Sequence, residues 1–100
     1  MGKSQRDKGA RREREFASLT NGERVPLSGA MGTYSNDVIA YDMEWEIKAR
    51  KQGFKQLYDW ILDERENPDA IALKVDRKPW LVCMTLEQFQ ELMQRKETKR

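Results

Sequence analysis

The most restrictive feature of the sequence is a strict two-residue alternation between residues 44 and 50. Trp45, Ile47 and Ala49 are apolar, and the residues around them are all charged: Glu44, Glu46, Lys48 and Arg50. A β-strand points successive side chains to opposite faces, so a strand gives this segment one apolar and one charged face. The segment is therefore predicted to be a strand with one face against the core.

A second strand is predicted over residues 37–42, Asp-Val-Ile-Ala-Tyr-Asp. β-Branched and aromatic residues favour extended backbone, and a tight turn near Asp42-Met43 makes the two segments antiparallel. Asp37 begins the first strand of this hairpin, where its carboxylate can lie beside Glu46.

Before the hairpin, a first helix is predicted from Ser4 to about Leu19. The Thr20-Asn21-Gly22 sequence ends it, and residues 24–27 form a short extended piece whose Pro26 is typical of a strand edge. A glycine-containing loop follows over residues 28–36.

After the hairpin, apolar residues at three- and four-residue spacings predict an amphipathic helix over 54–66. Strands are predicted over 70–75 and 80–85, and Thr85 with Gln88 is expected to cap a last helix. The element order is therefore αβββαββα.

One hundred residues with 38% hydrophobic content can bury one modest core. We expect a single domain over 1–100, with a core of about 5–94 and polar ends at 1–4 and 95–100. The fold class is predicted to be α/β (α+β) with a mixed sheet of about five strands.

The composition excludes several classes of site. The chain has no His and one Cys, Cys83, in an apolar strand-like run, which argues against disulfides, thiolate zinc sites and His-based catalysis. No apolar run approaches the roughly 18 residues of a membrane span, and no apolar stretch follows the basic N-terminal residues. We expect a cytoplasmic protein without a membrane partner, in which oxygen ligands hold any metal.

Charge is distributed unevenly although the net charge is only +2. Residues 3–14 contain six bases against two acids, whereas residues 37–46 contain four acids and no base. This pattern suits a polyanion that contacts the basic segments and lies over metal ions bound by the acidic centre. A solvated charged helix is the alternative, and charge alone favours it.

The acidic centre contains a candidate metal site. Glu46 and Lys48 are two apart on the predicted strand and share a face, with Asp37 on the neighbouring strand. Two carboxylates and the backbone carbonyl of Ile47 form an all-oxygen site suited to Mg²⁺, with Mn²⁺ as a substitute. Such a site can activate water and stabilise the leaving oxygen of a phosphodiester, while Lys48 orients the nucleophile or neutralises charge.

The Glu-x-Lys triplet is a weak signal by itself. With ten Glu and nine Lys, chance gives roughly one such triplet in a chain of this length. A second triplet, residues 97–99, lies in the polar tail without a strand pattern. An exposed ion-pair ladder across a strand remains the alternative for the first triplet.

Glu13 is a further candidate, on the first helix. It shares a face with Ala10, Phe16 and Ala17 at three- and four-residue spacings, the only apolar face of that helix. A carboxylate in that position fits a role at the site, and an ion pair with a nearby Arg is the alternative.

An ordered set of motifs resembles the archaeal-type Holliday-junction resolvases of the PD-(D/E)xK nuclease superfamily. The set covers about residues 8 to 62 and comprises Lys8-Gly-Ala-Arg-Arg-Glu-Arg-Glu15, Arg24, Ser28, Asp37-Val-Ile-Ala40 and Glu46-Ile-Lys-Ala-Arg50. Similar sequences are carried by phages and prophages. The resemblance implies a restriction-endonuclease-like core with the catalytic residues Glu13, Asp37, Glu46 and Lys48. Metal ligands would come from Asp37, Glu46, the Ile47 carbonyl and Glu13.

The resemblance also implies contacts with DNA and with a second copy of the chain. The expected DNA or phosphate contacts are Lys8, Arg11, Arg24, Ser28, Arg50 and Gln56, the last in a Gln-x-x-x-Trp spacing to Trp60; a surface glutamine is the alternative for Gln56. Resolvases of this family are symmetric homodimers. Trp80, Leu92 and Met93 are candidates for a dimer patch, although core burial is the more common role of such residues.

The leading hypothesis is a Mg²⁺-dependent endodeoxyribonuclease that cuts branched or structured DNA in recombination or phage DNA processing. One alternative is an endonuclease for ordinary duplex or nicked DNA. The other is a catalytically inactive DNA-binding or adaptor protein with a nuclease-like fold, which would bind DNA without metal-dependent cleavage.

Overall fold

The computed structural model describes residues 2–25 and 37–98, with the side chains of residues 9–25 and 37–96. The expected contact Ser28, the residues 26–27 of the short extended piece and the loop 28–36 lie outside the described residues. The described elements run in the order αβββαββα, as predicted: α1 (Gly2–Thr20), β1 (Glu23–Arg24), β2 (Val38–Ala40), β3 (Met43–Trp45), α2 (Lys55–Ile61), β4 (Ile71–Leu73), β5 (Leu81–Cys83) and α3 (Leu86–Thr98).

These elements make a small mixed α+β fold. β1, β2 and β3 form an antiparallel three-stranded sheet in that order, and β4 pairs with β5 in a second antiparallel sheet. The described strands are thus divided between two sheets, rather than joined in the one mixed sheet expected. The chain also divides into two compact units, Met1–Lys51 and Gln52–Arg100.

The end of α1 follows from its sequence. Asn21 adopts a left-handed conformation (φ 56°), and the N–H of Gly22 donates to the carbonyl of Ala17 at 2.8 Å. The N–H of Asn21 donates to the carbonyl of Ser18 at 3.3 Å, which completes a Schellman motif. A side chain at residue 22 is excluded because its Cβ would lie 2.5 Å from the carbonyl oxygen of Ile39.

The β2–β3 hairpin turns at Tyr41 and Asp42, one residue earlier than predicted. Both have positive φ values, 55° and 58°, which is the pattern of a type I′ turn between antiparallel strands. Its register pairs Ala40 with Met43 and Val38 with Trp45. β2 and β3 are therefore shorter than the strands predicted over 37–42 and 44–50, and residues 46–50 continue without a regular strand.

The core of the first unit lies between α1 and its sheet. Ala17, Val38 and Ala40 are buried, and four half-buried apolar residues pack against them: Phe16, Tyr41, Trp45 and Ile47. The rings of Phe16 and Trp45 lie 5.2 Å apart at a tilt of 55°, a favourable aromatic arrangement. The predicted inward face is confirmed for Trp45 and Ile47, but Ala49 is exposed because it lies beyond the end of β3.

The second unit contains α2, the β4–β5 hairpin and α3. α2 ends at Ile61 instead of residue 66, because Asp63 Oδ1 accepts hydrogen bonds from the N–H groups of Arg65 (2.8 Å) and Glu66 (3.3 Å) and begins a separate turn. The predicted cap of α3 is confirmed, since the N–H of Gln88 donates to Thr85 Oγ1 at 3.1 Å. Among the described residues, no helix is long and apolar enough to cross a membrane.

Candidate functional site

Asp37 lies at the open end of the β2–β3 hairpin, where the regular ladder is interrupted. Its N–H donates to the carbonyl of Trp45 at 2.9 Å, although Trp45 is paired in register with Val38. Two successive residues of one strand thus face one residue of the other, which is the arrangement of a β-bulge. On its other side, the carbonyl of Asp37 accepts from the N–H of Val25 at 2.9 Å. A bulge redirects a side chain, and here that side chain is a carboxylate.

The Asp37 carboxylate bonds to the segment after β3, which carries the Glu-x-Lys triplet. Its Oδ2 accepts a hydrogen bond of 2.7 Å from the N–H of Ile47, in a partly buried position. Together with the Asp37 N–H bond to Trp45, this bond brackets Glu46 from both sides along the chain. A side-chain acceptor thus takes the place of a strand partner for Ile47. The predicted proximity of Asp37 to this segment is therefore present.

Glu46 and Lys48 form an ion pair with each other. Lys48 Nζ lies 3.0 Å from Glu46 Oε2, and the two side chains are 65% and 52% exposed. The pair shows that the two side chains reach the same region of space, as their spacing predicted. Both remain accessible to a ligand from solvent, and an exposed pair of this kind is held by less than about 1 kcal/mol.

Glu13 lies on the inner side of α1 and is only 24% exposed. Its Oε1 accepts hydrogen bonds from Arg24 Nε at 3.2 Å and Nη2 at 3.0 Å, eleven residues along the chain. Glu13 thus forms the ion pair with an Arg that was the alternative to a role at the site, and the partner is Arg24 of β1. Arg24 is opposite Val38 in the sheet register, so the Arg24 side chain connects Glu13 to the strand that Asp37 precedes.

The described residues contain no group of three or more His, Cys, Asp or Glu side chains placed to hold one metal ion. The expected ligands Glu13, Asp37 and Glu46 are therefore not assembled as a three-carboxylate cluster. Asp37 is instead held by Ile47, Glu46 is paired with Lys48, and Glu13 is paired with Arg24.

The expected DNA contacts are distributed over both units. Arg11 and Arg50 line one groove of the first unit, whereas Gln56 is exposed on α2 of the second. Arg24 is engaged by Glu13, which gives it a role in positioning that carboxylate. Lys8 belongs to α1, but its side chain, like Ser28, lies outside the described part.

The groove has a volume of about 580 Å³ and lies between α1 and the segment after β3. Besides Glu13 and Ile47, it is lined by Gly9, Arg11, Arg12, Ala49, Arg50 and Lys51. The sequence interpretation did not include Arg12 or Lys51 among the contacts. The signal that could have found them is their position directly beside Arg11 and Arg50.

Comparisons with protein-family models, with curated proteins and with solved structures gave no match to this chain.

Proposed function

We propose that this protein is a Mg²⁺-dependent DNA endonuclease that hydrolyses phosphodiester bonds in branched or structured DNA, in recombination or phage DNA processing. The observation that carries the proposal is the pair of hydrogen bonds by which Asp37 brackets Glu46, between Asp37 N–H and Trp45 and between Asp37 Oδ2 and Ile47. The resemblance of the ordered motifs to resolvases, and the restriction-endonuclease-like core it implies, support the same interpretation.

The donor groups around this hairpin end fit a hard divalent cation. Asp37 and Glu46 supply carboxylate oxygens, Ile47 supplies a main-chain carbonyl, and the Asp37–Lys48 segment contains neither His nor Cys. Within the described part of the chain, one main-chain N–H donates to Asp37 Oδ2, and Glu46 is more than half exposed, so both side chains are accessible to an incoming cation. These residues would hold Mg²⁺, with Glu13 as a possible further ligand.

Each residue then has a defined task. Mg²⁺ held there would supply Lewis-acid chemistry, lowering the pKa of a coordinated water and offsetting negative charge on phosphate oxygens. Lys48, released from Glu46, orients the attacking water or neutralises charge on the phosphate. Ile47 fixes Asp37 through its N–H, and Arg24 holds Glu13 in one orientation. Fixed groups of this kind avoid reorganisation during the reaction.

The proposal is tested by incubating the protein with labelled four-way junction, duplex, nicked and single-stranded DNA in Mg²⁺, Mn²⁺ or EDTA. We expect cleavage of the junction in either metal and none in EDTA. Asp37→Asn, Glu46→Gln and Lys48→Met should abolish it, with each loss at least about 100-fold. Glu44→Gln is the matched control, because it removes the same charge from β3 two residues away. Cleavage that survives Asp37→Asn and Lys48→Met would refute the site.

A second candidate function is an inactive DNA-binding or adaptor protein. It is favoured by the two ion pairs that occupy Glu13 and Lys48 and by the missing three-carboxylate group among the described residues. In that case, all DNA substrates would be bound with strong salt dependence and none would be cut in any metal. Equal cleavage of duplex and junction would instead indicate an endonuclease for ordinary DNA.

A symmetric homodimer is part of the proposal, because two symmetry-related sites suit two cuts across a four-way junction. Trp80 is 65% exposed and Leu92 is 37% exposed, which leaves apolar surface on the second unit for a partner copy. Light scattering of the protein with and without junction DNA measures the oligomeric state. A monomer on the junction would exclude the dimer and leave the cleavage test unaffected.

A further inference from the structure

The groove between α1 and residues 47–51 is strongly cationic. Its described lining contains four bases, Arg11, Arg12, Arg50 and Lys51, and one acid, Glu13. Glu13 accepts two hydrogen bonds from Arg24, which is not among the described lining residues. The negative charge of Glu13 is therefore balanced by a residue outside the groove. A concave surface lined by one sign of charge concentrates counter-ions of the opposite sign. The groove is therefore suited to a polyanion.

Two of these cations have no acidic partner in the described part of the chain. Arg12 pairs with Glu15 at 2.7 Å, but Arg11 and Lys51 take part in none of the ion pairs found there. They line the groove from two different segments, Arg11 from α1 and Lys51 from the segment after β3. Two such cations, on separate segments of one groove, suit an anionic chain that contacts both.

Gly9 is an independent observation at the same groove. It lies inside a 19-residue helix, where glycine is the least favourable residue after proline. Neither backbone conformation nor packing explains it, since a Cβ built at this position meets no atom within 4 Å. Glycine is used where a ligand must approach the backbone closely. The missing side chain leaves space in which a ligand in the groove can approach the backbone of α1.

We propose that this groove binds the phosphodiester backbone of the DNA, which comes closest to α1 at Gly9 and lies between Arg11 and Lys51. The inference rests on the proposed function and deepens it, because it says where on the first unit the substrate backbone is held. It adds Gly9, Arg12 and Lys51 to the contacts expected from the sequence.

The Gly9 contact is tested by Gly9→Ala and Gly9→Leu, with Ser18→Ala and Ser18→Leu as matched controls on an exposed position of α1. Both alanine variants should raise Tm, by about 4 °C for Gly9→Ala, because alanine favours helix. The Gly9 variants should lose affinity for labelled duplex and junction DNA progressively with side-chain size, while the Ser18 variants keep it. A Gly9→Leu protein that is folded and binds DNA as wild type would overturn the contact.

The cationic walls are tested by the salt dependence of DNA binding in EDTA. Arg11→Gln with Lys51→Gln should reduce the slope of log K against log salt by about 1.8, so a rise from 50 to 200 mM salt weakens this variant about twelvefold less than wild type. The matched control is Arg77→Gln with Lys78→Gln, an equal charge change in the β4–β5 turn, which should keep the wild-type slope. An unchanged slope in the groove variant, or tighter binding of polyglutamate than of DNA, would overturn the proposal.

These results separate the two proposals. If the groove is right and the nuclease function is wrong, the groove variants lose DNA binding and no protein cleaves DNA in Mg²⁺. If the nuclease function is right and the groove is wrong, wild type cleaves the junction and the groove variants bind and cleave like wild type.

Discussion

Asp37 has a structural task that can be separated from its proposed chemical one. Its Oδ2 accepts the Ile47 N–H at 2.7 Å in a partly buried position. A hydrogen bond to a charged group contributes about 1.5–3 kcal/mol, and a neutral one about 0.5–1.5 kcal/mol. Asp37→Asn keeps a side-chain oxygen that can accept this bond, so we expect a loss of about 1 kcal/mol in the free energy of unfolding. Asp37→Ala leaves the Ile47 N–H without this acceptor and should cost about 2 kcal/mol.

Thermal unfolding measures this difference, at about 4–8 °C per kcal/mol for a chain of this size. Trp60 and Trp80 are exposed, so Trp60→Phe with Trp80→Phe is a tolerable background in which Trp45 alone reports on the hairpin. We expect the Tm of Asp37→Asn to lie about 4–8 °C below that of the Trp60→Phe, Trp80→Phe protein, and the decrease for Asp37→Ala to be about twice as large. Equal losses in the two variants, or none in Asp37→Ala, would refute the structural role.

The same two variants also distinguish folding from chemistry. Asn retains the hydrogen bond but removes the negative charge that a cation needs, so cleavage should disappear in a protein that is still largely folded. Activity that falls only in proportion to the unfolded fraction would show that Asp37 acts through the fold alone.

Two further predictions concern other parts of the chain. Gly22→Ala should destabilise the first unit by about 1–3 kcal/mol, because its Cβ would lie 2.5 Å from Ile39 O and 2.8 Å from Ala40 Cβ. A urea midpoint unchanged from wild type would contradict this. In α2, the hydrogen bond and charge of Asp59 raise the pKa of Lys55 above its usual value of 10.5. The stabilisation is therefore complete below pH 10.5 and is lost as pH rises through the raised value. An NMR titration of Lys55 should return to about 10.5 in Asp59→Asn, and the same pKa in both proteins would contradict the pairing.

The hairpin could be predicted in outline because its signal is local. The alternation through Trp45 and Ile47 required a strand, and both residues do face the core. The open end of the hairpin could not be predicted, because there the Asp37 N–H donates to the Trp45 carbonyl and the Asp37 carboxylate accepts from the Ile47 N–H. No residue type in the sequence specifies that the ladder stops there, and Ala49 is exposed as a result.

The site could be predicted only in part for a similar reason. The proximity of Glu46 and Lys48 was predicted from their two-residue spacing, although both lie beyond the end of β3, and the inner position of Glu13 was predicted from helix spacing. The Glu13–Arg24 pair depends on how α1 packs on β1, which no periodicity encodes. Similarly, Asp63 looked like one more residue of a helix, but its carboxylate competes for main-chain N–H groups and α2 ends before it.

The bulge at Asp37 also affects the order of events during folding. The Asp37–Ile47 bond joins residues ten apart, and a two-residue turn closes the strands between them. Hairpins of this kind close in about 1–10 μs, before contacts between distant segments form. The surroundings of Glu46 should therefore be organised early, by residues within one short stretch of chain. Mutations in distant segments can lower stability without altering the local arrangement on which the proposed chemistry depends.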